Sequence, residues 1–290
     1  MHWKATIEDF LTDKSGKPVQ ISSAYAVGGG SINSAYGLET NVGKFFVKLN
    51  SASHYPGMFE KEALGLSILS ESGELPVPEV VGFDENHTEA FLVLKFVETG
   101  SPSAGFWENF GHGLAHLHGH TADTFGLGHD NYIGSLSQSN TFHDTWSEFF
   151  IEERLKPQIK LAFDGKQLMN SDIKAFENFF HRFPEIFPEE LPALLHGDLW
   201  SGNFMTNQAG EAVLIDPAVY FGHREMDLGM SQLFGGFHRR FYDAYAEIKP
   251  LESGWEKRLD YCNLYPLLVH VNLFGGSYVH SVKQIINSFC

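Results

Sequence analysis

The sequence predicts an α+β chain in two lobes, a small β-rich lobe over residues 1–93 and a larger, mostly helical lobe over residues 94–290. Three observations carry that prediction. Residues 20–50 and 75–97 run in short alternating or apolar segments of strand length. The stretch ETGSPSAG, residues 98–105, shifts abruptly to small and polar residues and marks a boundary near residue 95. Beyond it, apolar residues recur at helical spacing. A chain of 290 residues is long enough for a large core shared by two such lobes. Its 43% hydrophobic and 19% charged residues are those of an ordinary globular protein, not a disordered one.

Each element has its own signal. Between Gln20 and Asn50, strand-like runs are separated by GGGSIN and by Asn41-Val42-Gly43, which reads as a hairpin turn. From Phe59 to Ser70 the pattern becomes helical, with Phe59, Glu62, Leu66 and Leu69 on one stripe. LPVPEVVGF is extended around its prolines, and AFLVLKFV is another buried strand. Past the boundary, Trp107, Phe110, Leu114 and Leu117 form a helical stripe, and most of the remaining chain is helical in pattern. The exception lies between Leu194 and Asp216, where NFMTNQAGEAVLID reads as a short hairpin closed around Asn207 to Gly210. No repeat or low-complexity tract interrupts the chain.

Charge and cysteine usage exclude several classes of function. Lys and Arg number 20 and Asp and Glu 36, a formal charge of −16, which repels nucleic acid and anionic membranes alike. Cys262 and Cys290 are too few for a disulfide framework, so a reducing compartment is expected. MHWKATIEDF has no apolar core of a secretory signal, and no run has the length of a membrane span. The expected location is the cytoplasm.

The segment HGDLWSGN, residues 196–203, fits neither a strand nor a helix, yet places His, Asp and Asn in one Gly-containing loop after the apolar run LPALL. Asx-turns around a hairpin account for each residue singly. Phosphoryl transfer accounts for them together, since it needs a phosphate cradle, a cation on the phosphates, metal ligands and a group that orients the nucleophile. The cradle candidate is VGGGSIN, where Gly28, Gly29, Gly30 and Ser31 let backbone N–H groups approach phosphate oxygens, although a Gly-rich hairpin is also simply a turn. The cation candidate is Lys48 in the strand GKFFVKLN. It reads either as an edge-strand lysine reaching solvent or as the partner of Glu62, a carboxylate placed on the apolar stripe of the next helix. If residues 204–215 form the hairpin, Asn203 and Asp216 emerge together at its open end, two oxygen donors suited to Mg²⁺. Asp198 is then left to orient an attacking hydroxyl. Trp200 either packs beneath the loop or stacks on a sugar ring. His112, His116, His118 and His120 crowd one helix and are expected to form a solvated or partly packed face, not a zinc site.

Taken together, HGDLWSGN with IDPA downstream, GGGSINSAY, FFVK, NYIGSLSQSN, WSEFFIEERLKPQ, DLGMSQLFGGF and YPLLVH resemble the fructosamine kinase (ketosamine-3-kinase) family from about Val27 onward. HGDxxxxN alone marks the broader group of aminoglycoside phosphotransferases and choline kinases; the Leu-Trp-Ser-Gly filling and the C-terminal phrases point to fructosamine kinases. The resemblance implies a protein-kinase-like fold and ATP- and Mg²⁺-dependent phosphorylation of a sugar hydroxyl, by analogy the 3-hydroxyl, of ribulosamines or fructosamines on amines or protein lysines. It implies that Asp198 is the catalytic acceptor, that Asn203 and Asp216 are metal ligands, and that Lys48 and Glu62 are the phosphate-orienting pair. Leu94, Lys95 and Phe96 become the hinge whose backbone holds adenine. Two alternatives remain, a kinase of aminoglycoside- or choline-type alcohols and a nucleotide-binding pseudokinase. In one respect the chain departs from the pattern: some relatives carry a cysteine in the Gly-rich loop where this chain has Ser31, so thiol control of that loop is not expected.

Overall fold

The alternation between residues 20 and 51 becomes three strands, β1 (Ile21–Ala26), β2 (Ser34–Thr40) and β3 (Gly43–Ser51), with Asn41 and Val42 turning the hairpin between the last two. The structure, a computed structural model, describes residues 2–28 and 32–288. Gly29, Gly30, Ser31 and Cys290 therefore lie outside the described residues. β4 (Val80–Glu85) and β5 (Glu89–Lys95) complete an antiparallel sheet in the order β1-β2-β3-β5-β4. β3 is thus the middle strand, and the edge-strand reading of Lys48 falls; the residue is only 5% exposed.

Two helices cover the two faces of this sheet. Side chains alternate along a strand, and on one face Phe45, Val47, Phe91 and Val93 pack against Ile7 and Leu11 of α1 (His2–Ser15). On the other, Ala90, Leu92 and Leu94 pack against Phe59, Ala63 and Leu66 of α2 (Met58–Ser72). The stripe of Phe59, Leu66 and Leu69 is buried as its spacing predicts. α1 is an addition to the sequence reading; Trp3, Ile7, Phe10 and Leu11 carry its stripe, and Trp3 packs at a tilt on Tyr36 while Phe10 meets Phe91 of the sheet edge-on.

After the sheet come α3 (Phe106–Leu117), β6 (Asn131–Ile133), β7 (Leu136–Gln138), α4 (Trp146–Phe149, continued as a π-helical turn to Leu155), α5 (Lys156–Asp164) and α6 (Asn170–Arg182). Next are β8 (Ala193–Leu195), β9 (Phe204–Thr206), β10 (Ala212–Leu214), β11 (Tyr220–Gly222), α7 (Glu225–Leu233), α8 (Arg239–Ile248), α9 (Trp255–Cys262), α10 (Leu264–Phe274) and α11 (Ser277–Ser288). The expected hairpin is present as β9 and β10, closed by the Asn207–Gly210 turn. β8 pairs with β11. These two small ladders bracket residues 196–203 on one side and 216–219 on the other, which is what brings the two segments together. The core of the helical part is aromatic, with Phe149, Phe150, Phe176, Phe179 and Phe183 all at most 1% exposed.

Candidate active site

The loop 196–203 is held from beneath by a buried carboxylate. Asp227 of α7 is 1% exposed and accepts the backbone N–H groups of His196 at 2.8 Å and Gly197 at 2.9 Å. His118 Nε2 lies 3.2 Å from the same carboxylate, with its Nδ1 2.8 Å from the Tyr245 hydroxyl. Burial alone raises a carboxyl's pKa; these donors outweigh it and hold Asp227 below the usual carboxylate range. His196 is fully buried. Its Nε2–H donates to the Ile215 carbonyl at 2.9 Å, which leaves Nδ1 to accept the Asp198 N–H at 3.2 Å. One imidazole therefore ties the loop to the segment that carries Asp216.

Two glycines in HGDLWSGN have steric causes. Gly197 has φ +83°, and a Cβ there would stand 2.0 Å from the Ala218 carbonyl oxygen. Gly202 lies against the indole of Trp200, 2.4 Å from where its own Cβ would be. The side chain that packs beneath the loop is Leu199, fully buried in an apolar cluster with Phe110, Leu194, Leu214 and Leu228. Trp200 instead lies between two cavities and meets Phe234 edge-on, with ring centres 5.6 Å apart.

Lys48 Nζ sits 2.7 Å from Glu62 Oε1 and 2.6 Å from Asp216 Oδ1. Burial would lower the pKa of this ammonium, but the two carboxylates outweigh it and raise it above its ordinary value, so Lys48 is a fixed cation. Asp216 has φ +53°, the left-handed region that a non-glycine residue seldom occupies, and it lies directly after Ile215, whose N–H donates to the Asn203 carbonyl at 3.0 Å. Asn203 and Asp216 thus stand side by side at the open end of the hairpin. Asn203 Nδ2 donates to both the backbone carbonyl and Oδ2 of Asp198, each at 2.8 Å, and so its own Oδ1 remains as an acceptor. Asp198 is pushed up to about 7, first by burial, against the Asn203 hydrogen bond, and further by the negative charges of Asp216 and Asp227.

Two cavities meet at this cluster. One, about 440 Å³, is lined by Val27, Gly28, Phe46, Leu94, Lys95 and Phe96. The other, about 210 Å³, holds Asp198 and Glu62. Asn33, Lys48, Trp200, Asn203 and Asp216 line both. The first is lined mainly by apolar and strand residues, with Gly28 and the end of β5 among them; the second holds the carboxyl groups of Asp198 and Glu62. A cation and oxygen donors therefore sit where two adjoining chambers meet, an arrangement suited to passing a group from a molecule in one to a molecule in the other.

The fructosamine kinase family model matches residues 2–290. The chain belongs to the fructosamine kinase family. It is 41% identical to the chloroplastic protein-ribulosamine 3-kinase of Arabidopsis thaliana over 280 residues, 94% of this chain and 84% of that one. A Thermobifida fusca structure named as a fructosamine-3-kinase superposes with a TM-score of 0.88 at 36% identity, covering 98% of each chain. A Ralstonia eutropha structure named as an aminoglycoside phosphotransferase shares the protein-kinase-like fold, with a TM-score of 0.65 at 16% identity over 98% of this chain and 94% of that one. The family match begins 25 residues before Val27, so the N-terminal helix belongs to the fructosamine kinase pattern as well.

Several residues important to the geometry of this fructosamine kinase family member have no role in the sequence reading. Asp227 carries the signal that revealed Glu62, a carboxylate within an otherwise apolar helix segment, MDLGM. Of the four histidines expected on a solvated or partly packed helix face, only His112 and His116 lie within α3; His118 caps its end and is fully buried, while His112 and His120 lie 3.0 Å from Glu247 and Glu74 at the surface. Among the described residues no cluster of His, Cys, Asp and Glu suits a metal held by three such side chains. The phrase NYIGSLSQSN supplies Asn131 and Gln138, whose amides bond the carbonyls of Val219 and Ala218 at 2.8 and 3.2 Å; Arg154 completes the network through Asn140 at 2.6 Å. The segment just after Asp216 is thereby fixed by buried side chains from two distant elements. Cys262 is a buried free cysteine whose thiol is pushed well up by burial, which keeps it an inert thiol.

Proposed function

We propose that this protein is an ATP- and Mg²⁺-dependent kinase that phosphorylates a sugar hydroxyl of ketoamines of the ribulosamine or fructosamine type, by analogy the 3-hydroxyl. The observation that carries the proposal is the pair of cavities meeting at Lys48 and Asp216 with Asp198 in only one of them. The nucleotide takes the apolar chamber, with adenine against the Leu94–Phe96 hinge and its phosphates toward Gly28 and Lys48. The sugar takes the chamber of Asp198. The name of the Arabidopsis relative supports the ketoamine class. In this reading residues 1–93 form the nucleotide lobe and residues 94–290 carry the catalytic loop and the substrate site. The scarcity of cysteine supports a cytoplasmic setting, and among the described residues no helix is long and apolar enough to cross a membrane.

The chain's own groups divide the work. Asp198, in contact with Asn203, orients the sugar hydroxyl and accepts its proton late, as a loose transition state requires. Lys48 holds phosphate oxygens and is itself held by Glu62. The donors near the phosphates, Asp216 and the Oδ1 of Asn203, are hard oxygen ligands and fit Mg²⁺ with phosphate oxygens and water completing its shell. Mg²⁺ bound there supplies neutralisation of the charge on the transferring group.

The metal assignment predicts that Asp216→Ala weakens nucleotide binding mainly when Mg²⁺ is present. Asp216→Asn, whose side chain tolerates a left-handed backbone, separates loss of charge from loss of backbone geometry. Calorimetric titration with and without Mg²⁺ checks this; an affinity unchanged in both conditions removes Asp216 as a ligand. The reaction itself is tested by ATP consumption against ribulosamines, fructosamines, choline and kanamycin-like aminoglycosides. Turnover of the ketoamines with little on the others is expected. Robust aminoglycoside phosphorylation without ketoamine turnover moves the protein to the other alcohol-kinase class, and nucleotide binding without any turnover makes it a pseudokinase.

A further inference from the structure

The phrase YPLLVH, part of the family resemblance, falls in α10, which is largely apolar because it faces two ways. Leu264, Leu267, Leu268 and Val271 are buried in the aromatic core. Pro266, Val269, His270, Leu273 and Phe274 line the chamber that holds Asp198. His270 is the one residue of this wall with ring nitrogens. Its Nδ1–H donates to the Pro266 carbonyl at 2.7 Å, and that fixes the tautomer, leaving Nε2 with a lone pair. Nε2 has no hydrogen-bond partner among the described residues. Burial lowers the pKa of His270, against the opposing pull of the Pro266 carbonyl, so the ring is neutral at pH 7.

Aromatic rings surround it. The His270 ring centre is 4.9 Å from those of Phe234 and Tyr278 and 5.5 Å from that of Phe274. Phe234 in turn meets Trp200, two positions after Asp198. An aromatic wall therefore runs from the reacting end of the chamber to Phe274, which is 55% exposed and marks its mouth. The carboxyl groups of Glu62, Asp198 and Asp216 line the same space, together with the ammonium groups of Lys48 and Lys61. Aromatic rings beside one neutral acceptor, in a chamber that also holds carboxyl groups, match a cation that carries an N–H.

We propose that His270 is a specificity-determining residue that reads the amine of the ketoamine: Nε2 accepts an N–H of the secondary ammonium, while Trp200 and Phe274 flank the cation and its alkyl body. The inference rests on the ketoamine reading above and deepens it. In such a substrate the nitrogen is on carbon 1, two carbons from the carbon bearing the 3-hydroxyl. A hydroxyl placed at Asp198 therefore brings the amine into the same chamber, and its substituent leaves past Phe274.

The test compares a ketoamine with the 1-O-alkyl ketose of the same sugar and chain, in which an ether oxygen removes both the charge and the N–H. Affinities of both are measured by calorimetry on the full chain without turnover, and ATP-driven rates are measured alongside. Wild type is expected to bind the ketoamine about tenfold or more tightly than the ether, the range of a charge-assisted hydrogen bond. His270→Phe keeps a ring in the wall and should bring that ratio near one, with ether and ATP affinities unchanged as the check on folding. His270→Gln, which offers an acceptor oxygen, should recover part of the preference. A ratio retained in His270→Phe overturns the assignment. If wild type shows the preference but does not phosphorylate the ketoamine, the kinase reading fails and the amine site stands. If wild type binds neither compound, both fail.

Discussion

Asp198→Asn should lower kcat by about two or more orders of magnitude while leaving nucleotide affinity nearly unchanged, and at the same time make the protein more stable above neutral pH. The loss of rate comes from position. Asp198 lines only the smaller of the two chambers, where the sugar is proposed to sit, and is held by the two hydrogen bonds from Asn203. An amide there cannot accept the hydroxyl proton, and losses of about 10²–10⁴-fold are usual when such a group is removed. The gain in stability comes from the carboxyl's raised pKa, about 7 in the fold against 3.8 unfolded. A carboxyl whose folded pKa is raised binds more protons folded than unfolded between those two values. Its cost to stability is absent below the lower value, grows as pH rises through the window, and is complete above about 7. An Asn at 198 carries no such cost, since its side-chain oxygen can still accept from Asn203. At pH 8 the variant is expected to gain about 1–3 kcal/mol, shrinking to little near pH 4. Thermal melts in EDTA across that range, with steady-state rates alongside, decide it; a variant that is both inactive and less stable at pH 8 would mean that Asp198 supports the fold instead.

The second large effect is expected from Lys48→Met. This side chain meets two carboxylates from different parts of the chain, Glu62 on α2 and Asp216 after β10. Glu62 is only 12% exposed at its side chain, so removing Lys48 leaves a buried charge without its partner. Breaking a buried pair in this way costs about 3–5 kcal/mol. Phosphate orientation is lost as well, and kcat/KM for ATP should fall about 10²-fold or more. The double variant Lys48→Met/Glu62→Gln separates the two consequences. It should recover most of the stability in urea titrations and none of the activity. Recovered activity in the double variant would show that the lysine serves only to neutralise Glu62.

Much of this site is legible in the sequence because its residues break local rules. A lysine in an apolar strand, a glutamate on an apolar helical stripe and a loop that fits no periodicity are each costly unless something compensates, and Lys48, Glu62 and HGDLWSGN are found that way. Asp227 breaks the same rule in MDLGM, and its role becomes plain only when its partners, the N–H groups of His196 and Gly197, are seen 30 residues away in sequence. His118 shows the converse. As one of four closely spaced histidines it reads as part of a solvated or partly packed helix face, whereas it caps the end of α3, and its burial depends on α8 and α7, which supply Tyr245 and Asp227. Helical spacing says which residues share a face, not what that face will meet.

The sequence by itself determined the two kinds of structure and their order, the hairpin that sets Asn203 beside Asp216, and the identity of the charged groups, since these depend on spacings within a few residues. Only the tertiary structure decided that β3 is the middle strand and Lys48 is buried, that Lys48 bridges Glu62 and Asp216, that Leu199 and not Trp200 packs beneath the loop, and that α10 brings His270 to the chamber that holds Asp198. Those outcomes depend on which distant elements pack together. Local backbone preference sets each segment's period, whereas burial and ion pairing act across 100 or more residues of chain, as between Lys48 and Asp216, 168 positions apart.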